Sequence, residues 1–229
     1  MIFAKIRITL TPFEWFLILL IVGLNLLYSI LTKEIAWIPT IASISGVICV
    51  VLVAKGHIAN YLFGLIQVSL YVYIAWQSRY WGGAMLNGLY YVPMQFIGFL
   101  SWRRRMVSNS ATQVQSQKLN PMMRFYIGFG TIFATVIYGY ILECLNGQTP
   151  YIDATSTILS IIAMVLMVRA YAEQWVLWIC VNVVTIFMWS LSVYRHEPHA
   201  AIMVMMWGVY LINSVYGFVR WMRAAQKAA

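Results

Sequence analysis

Charge is what this sequence has least of. Only 9% of its 229 residues are Asp, Glu, Lys or Arg, whereas a soluble domain carries roughly 25%. Acids are the scarcest: Glu14, Glu34, Glu143, Asp153, Glu173 and Glu197 are the only six, each at or near the end of an apolar run. Cysteine is rarer still, with three. Cys49, Cys144 and Cys180 sit singly in apolar runs without paired spacing, which argues against a disulfide framework or a thiolate metal site. Gly82-Gly83 lacks the lysine that a nucleotide-binding loop requires. No nucleophile–base pair or metal cluster lies at depth, so neither an enzyme nor a bound cofactor is expected.

What fills the chain is hydrocarbon. Hydrophobic residues make up 62% and the mean hydropathy is +0.79, so lipid must solvate most of the surface. The chain reads as an all-α polytopic membrane protein. A net charge of +9 could suggest nucleic acid, but the basic residues lie at the ends of apolar runs, not in one patch. They fix topology instead, and no nucleic-acid partner is expected. The first apolar stretch lacks a small-residue cleavage site, so it is expected to be retained as a span.

A span needs about 20 apolar residues, and eight candidates cover roughly 13–32, 38–54, 58–77, 81–102, 122–143, 152–168, 173–193 and 199–221. Thr11-Pro12-Phe13-Glu14 opens the first with an N-cap, a proline at the first helical position and a capping glutamate. Residues 1–10 alternate apolar and basic and are expected either to lie along the inner surface or to join the span. Residues 107–120, "VSNSATQVQSQKLN", form the one extended polar stretch and read as a solvent-exposed linker. With the N-terminus inside, twelve of the fifteen lysines and arginines fall in inner segments, leaving Lys33, Arg79 and Arg195 outside. That bias predicts both termini to be cytoplasmic.

The two halves resemble each other. "YYVPMQFIGFLSWRRR" (90–105) matches "VYLINSVYGFVRWMRA" (209–224) at an offset of 119, pairing Tyr91 with Tyr210, Gly98 with Gly217 and Trp102 with Trp221. Upstream, Lys55 answers Arg169 at an offset of 114. The expected architecture is therefore two parallel three-helix repeats joined by a linking helix, preceded by an N-terminal helix. The boundaries are 1–34 for the N-terminal helix, 35–106 for the first repeat, 107–146 for the linker and connecting helix, and 147–229 for the second repeat. Parallel repeats of this kind place a substrate site at the midplane between halves.

Amides at that depth are the candidate chemistry. Trp175, Trp178, Asn182, Thr185 and Trp189 form one helical stripe, with Asn182 roughly 14 Å into its span. Asn60, Gly64, Gln67 and Tyr71 form a second stripe, and Asn87, Tyr91 and Gln95 a third. The last candidate span offers Tyr210, Asn213 and Gly217. Taken singly, such amides glue helices together; converging from repeat-related helices beside aromatics, they point to a cavity. Pro93 removes a backbone donor and predicts a kink, either simple curvature or a gating element. Tryptophans at 76, 81, 102 and 221, at span ends, are expected in the interfacial belt. No Lys, Arg or His lies mid-span, which argues against ion or proton coupling. The "HEPH" loop, His196 to His199, is expected to be solvated, not metal-binding. Amides suit hydroxyls and carboxamides, and aromatic faces suit flat rings and cations. A sugar-bearing heteroaromatic solute fits such a lining.

These segments resemble a known family. "NYLFGLIQVSLYVYIAWQSRYWGGAMLNGLYYVPMQFIGFLSW" (60–102), "WVLWICVNVV" (175–184) and "GFVRW" (217–221) are similar to the PnuC family of bacterial vitamin transporters, most of which carry nicotinamide riboside. The resemblance covers about residues 35–223. It implies a three-one-three arrangement related to the SWEET sugar transporters, a homotrimer in the inner membrane, and facilitated diffusion. Net uptake would follow from trapping by a cytoplasmic nicotinamide riboside kinase. The family's Trp-x-x-x-Asn motif falls on Trp178 and Asn182, and its helix-four motif on Asn87 and Gln95. With Trp175, Gln67, Tyr91 and Tyr210 these form the expected substrate-binding set. Family members often carry asparagine where this chain has Gln67, so thiamine, riboflavin and deoxynucleosides stay open as alternative substrates.

Overall fold

The structure, a computed structural model, describes residues 9–78, 80–108, 113–144 and 150–227. Its helices are α1 (Pro12–Thr32), α2 (Trp37–Ala54), α3 (Asn60–Gln77), α4 (Trp81–Met85), α5 (Val92–Ser108), α6 (Pro121–Cys144), α7 (Pro150–Val168), α8 (Gln174–Tyr194) and α9 (Ala200–Lys227). A π-helical stretch, Leu86–Tyr91, joins α4 to α5 without a break, so residues 81–108 form one rod. The chain is all-helical among the described residues, save an isolated bridge between Gln117 and Tyr171. Of residues 1–10, expected along the membrane surface, the first eight lie outside the described residues.

Among the described residues, six helices are long and apolar enough to cross a membrane: α1, α2, α6, α7, α8 and α9. The remaining two expected spans, α3 and the 81–108 rod, fall short for a physical reason. α3 carries Asn60, Gln67 and Gln77, and the rod carries Asn87 and Gln95 before ending in Arg103–Arg105. Asn60, Asn87 and Gln95 are buried in the interior, whereas Gln77, Arg103 and Arg104 at the helix ends are exposed.

α1 starts at the expected capping box. Thr11 Oγ1 accepts from the Glu14 amide at 3.3 Å, and the Thr11 amide donates to Glu14 Oε2 at 2.8 Å. One narrow stripe of α1, Glu14, Leu17, Ile21 and Asn25, is buried; it packs on α2 and α9. α6 packs on α7 alone among the described helices, and Gly139 lets the Tyr151 ring lie against its backbone. The rest of α6 faces outward, with Phe125, Phe129 and Phe133 exposed and stacked.

Contacts recur at the offsets seen in the sequence. After α2, the His57 amide bonds to the Leu52 carbonyl and Gly56 takes φ +67°; after α7, the Tyr171 amide bonds to the Leu166 carbonyl and Ala170 takes φ +58°. Tyr61 fills the space beside Gly98. Trp175, 114 residues on, fills the space beside Gly217, where a Cβ would meet its ring at 2.6 Å. Trp102 Nε1 donates to the Met167 carbonyl at 3.1 Å, and Trp221 Nε1 donates to the Ala54 carbonyl at 3.0 Å. Each half thus inserts a tryptophan into the helix end of the other. These two rings, 0% and 3% exposed, correct the expectation that they belong to an interfacial belt. Trp76, by contrast, is exposed.

The polar stretch expected as a solvated linker is also different where described. Val114 and Leu119 are buried. The Val114 amide bonds to the Gly56 carbonyl at 3.0 Å, and Gln117 exchanges bonds of 3.0 and 2.9 Å with Ala170 and Ala172. Residues 113–119 therefore strap the two equivalent turns together. At Gly56 a Cβ would sit 2.9 Å from the Val114 carbonyl, and φ is left-handed, so only glycine fits.

Candidate functional site

A cavity of about 140 Å³ lies between the halves. All eight residues named from the sequence border it: Gln67 from α3, Asn87 and Tyr91 from the π-helical stretch, Gln95 from α5, Trp175, Trp178 and Asn182 from α8, and Tyr210 from α9. The π-helical turn explains how Asn87 and Gln95 reach the same face. Eight residues overshoot two turns of a straight α-helix by roughly 80°, and the wider i→i+5 turn takes up part of that excess. Pro93 follows directly, where a helix already short of regular i→i+4 bonds tolerates its missing donor. The kink expected from Pro93 is thus realised as a change of helix type upstream of it.

Two glycines clear space for the site. A Cβ at Gly64 would stand 2.6 Å from Gln95 Oε1, and a Cβ at Gly46 would collide with the Tyr210 hydroxyl. Asn182 is 2% exposed and donates to Ser214 Oγ at 2.8 Å. Asn87 donates to the Gly83 carbonyl at 2.8 Å. Gln95 Oε1 and Trp175 Nε1 are buried at the cavity wall with no hydrogen-bond partner. A buried polar atom left open costs about 1–3 kcal/mol, so the wall holds one acceptor and one donor without a protein partner. The Tyr91 and Trp178 rings flank the space with centroids 6.4 Å apart.

Aromatic groups lie beyond the cavity toward each end of the bundle, with Tyr71 and Trp175 bordering it. Toward the α8–α9 turn, Trp189 Nε1 donates to the Tyr71 hydroxyl at 2.8 Å, and Tyr80 packs edge-on against Trp189 at 5.2 Å. The Tyr80 hydroxyl meets Ser192 Oγ at 2.5 Å, and burial raises its pKa above the ordinary tyrosine value. Toward the termini, Tyr61 packs on Trp102 at 5.2 Å and Trp175 on Trp221 at 6.0 Å.

Some candidates do not reach the site. Asn60 donates to the His57 carbonyl and caps the α2–α3 turn, and Asn213 donates to the Val50 carbonyl, tying α9 to α2. Both are helix glue. Sequence reasoning missed Cys49, Ser156, Ser160, Trp207 and Ser214, which also line the cavity. Small hydroxyls in apolar runs carry little periodic signal, and α7 showed no amide to draw attention to its serines. No acid, lysine, arginine or histidine borders the cavity. His199 of the "HEPH" loop meets the Tyr28 hydroxyl at 3.2 Å, and no group of metal-ligating residues forms among the described residues.

Known proteins are similar to this chain in sequence and fold. The family model described as "nicotinamide mononucleotide transporter" matches residues 36–223. The chain belongs to this family. Among its relatives in the nicotinamide mononucleotide transporter family, the "Nicotinamide riboside transporter PnuC" of Neisseria mucosa is 35% identical over 95% of this chain and 83% of its own length. The protein of the same name from Haemophilus influenzae is 36% identical over 84% of this chain and 82% of its own. A solved structure, "Crystal structure of the Vitamin B3 transporter PnuC", superposes with a TM-score of 0.85 at 34% identity, covering 96% of this chain and 95% of that one. A multi-pass membrane protein of the transporter class is therefore what the family and the six apolar helices make of this chain.

Proposed function

We propose that this chain takes up nicotinamide riboside by facilitated diffusion across the bacterial inner membrane, with both termini cytoplasmic. The observation that carries this reading is the midplane cavity, where unpartnered polar atoms and aromatic faces converge and no charged side chain lines the wall. A pyridinium ring suits Trp178 and Tyr91 through its flat face and positive charge. Ribose hydroxyls and the carboxamide suit Gln95, Asn182, Asn87 and the indole donor of Trp175. The absence of Lys and Arg from the wall favours the nucleoside over its nucleotide, because a phosphate recruits such cations. The absence of a lining acid or histidine supports uniport without ion coupling. Net accumulation then comes from phosphorylation by a cytoplasmic nicotinamide riboside kinase.

The recurring turns and reciprocal tryptophans support two three-helix repeats, at 35–106 and 147–229, around an N-terminal helix at 1–34 and a connector at 107–146. The outward aromatic ridge of α6 suits a homotrimer embedded in lipid. Gln67 favours a second reading, a different vitamin or nucleoside such as thiamine, riboflavin or a deoxynucleoside. Its extra methylene beside Tyr210 narrows the cavity relative to an asparagine. Calorimetry on the purified protein separates the two. Nicotinamide riboside alone should bind, and Asn182→Leu or Gln95→Leu should weaken it by at least tenfold while the protein stays folded. Normal binding by both variants would make the amides glue and end this reading.

A further inference from the structure

A second hollow, of about 720 Å³, opens at the end of the bundle opposite the termini. It is walled by the α1–α2 connection, the last turn of α3 and the α8–α9 turn, with Trp37, Tyr73 and Glu197 among its residues. Ile74 lines it, and Tyr71, one helical turn away on the same face of α3, lines the midplane cavity. The hollow thus stacks over the cavity, with the Tyr71–Trp189 layer between them.

Its chemistry is that of a cation trap. Glu197 is half-buried, and its Oε2 is buried without a hydrogen-bond partner. A left-handed residue on each side, His196 and His199 at φ 57° and 61°, fixes the backbone that presents it. Trp37 and Tyr73 show exposed rings at the same hollow, and Gln77 holds the Tyr73 hydroxyl at 2.6 Å. This end of the bundle also holds four of the six acids, Glu34, Glu143, Asp153 and Glu197, against Lys33, Arg195 and, by sequence position, Arg79. The other end is strongly basic. A carboxylate that shares its hollow with aromatic faces, at the acid-rich end of the bundle, concentrates a flat cation there.

We propose that this hollow is a first-contact subsite for a cationic heteroaromatic solute, with Glu197 supplying the charge and Trp37 and Tyr73 the stacking faces. The inference rests on the transport reading above and adds a second station to it. The subsite sets how readily solute is captured at low concentration, and the midplane amides set how tightly it is held.

The test is radiolabelled uptake into proteoliposomes by wild type, Glu197→Gln and Glu197→Lys, beside calorimetric binding in detergent. Nicotinamide riboside and thiamine, both cations, are the probes, with riboflavin as the neutral one. Removing the charge should raise the uptake KM by roughly three- to tenfold and flatten its salt dependence. Glu197→Lys should raise KM further, while maximal rate and calorimetric Kd stay within about twofold, consistent with a capture step alone. Uptake KM and salt dependence equal to wild type in Glu197→Gln would overturn the proposal and leave Trp37 and Tyr73 as interfacial anchors. A protein that carries riboflavin alone would overturn it too, while leaving a vitamin transporter in place. Binding of none of the three would refute the transport reading itself, and the subsite with it.

Discussion

Replacing Glu14 by alanine should destabilise this protein more than any other loss of a single acid. The carboxylate is 0% exposed although it stands in the first turn of a helix. It receives Lys55 Nζ at 2.8 Å, Arg220 at 3.0 Å, the Tyr216 hydroxyl at 3.2 Å and the Thr11 amide at 2.8 Å. Three parts of the chain meet there: α1, the end of α2 and the last third of α9. Lys55 is the sensitive partner, because its side chain is only 6% exposed and cannot turn to water. Breaking a buried pair from one side costs about 3–5 kcal/mol, and losing a helix cap adds about 1 kcal/mol. Arg220 is 32% exposed and rehydrates, so its bond contributes little to the total.

A loss of about 4 kcal/mol lowers the melting temperature by roughly 8–16 °C for a chain of this length. Thermal denaturation in detergent reads this directly, and the molecule carries its own control. The Arg124–Glu173 pair is equally short at 2.7 Å, but Arg124 is 46% exposed, so breaking it through Arg124→Ala should cost no more than about 1 kcal/mol. Adding Lys55→Met to Glu14→Ala should recover part of the loss, since it removes the stranded ammonium. If Glu14→Ala melts within about 2 °C of wild type, or no more steeply than Arg124→Ala, burial is not what sets the strength of this cluster.

Three further outcomes follow from single contacts. Trp221→Phe keeps an aromatic ring of smaller size but leaves the Ala54 carbonyl unpaired, and the lost bond alone should cost about 1–3 kcal/mol in the same melting assay. Gly217→Ala drives a methyl into the Trp175 ring, 2.6 Å away; overpacking of about 1–3 kcal/mol, plus displacement of a cavity-lining indole, should lower stability and ligand binding together. His57 has its pKa lowered below the ordinary 6.5, first by burial and then by the Lys55 charge. The native state therefore binds fewer protons than the unfolded one below that value, so stability is full above pH 6.5 and declines as pH falls beneath it. Melting curves of wild type and His57→Gln between about pH 5 and 8 should converge at the acid end.

How far the sequence led depended on which signal a residue carries. Amides in apolar runs are conspicuous, so the eight cavity residues could be named from stripes and a family resemblance. The stripe did not say which amides turn to the cavity. Asn60 and Gln67 share a stripe, yet Asn60 bonds a turn carbonyl three residues back and Gln67 faces the void. That choice is made by local backbone geometry at a helix start, which periodicity does not encode. The π-helical turn at Leu86–Tyr91 was equally silent, because it substitutes no residue type and only changes the phase between Asn87 and Gln95.

Trp102 and Trp221 carry the broader lesson. Their pairing at an offset of 119 was visible, and so was the pairing of Lys55 with Arg169 at 114. Read separately, the first suggests belt residues and the second topology charges. Read together, equivalent tryptophans in equivalent helices must meet equivalent surfaces, and the surfaces available at that depth are the ends of α2 and α7. Each indole therefore lands on the other half's last helical carbonyls, Met167 and Ala54. Helix ends leave such carbonyls short of intrahelical donors, and in a membrane an open carbonyl is costly. The Met167 carbonyl also receives the Ala170 amide at 2.9 Å, whereas the Ala54 carbonyl is met by the Trp221 indole at 3.0 Å. A donor from the other half reaches each of them without adding charge. At about 1 kcal/mol net per bond, the two indole–carbonyl links tie the halves together at this end without a charged pair.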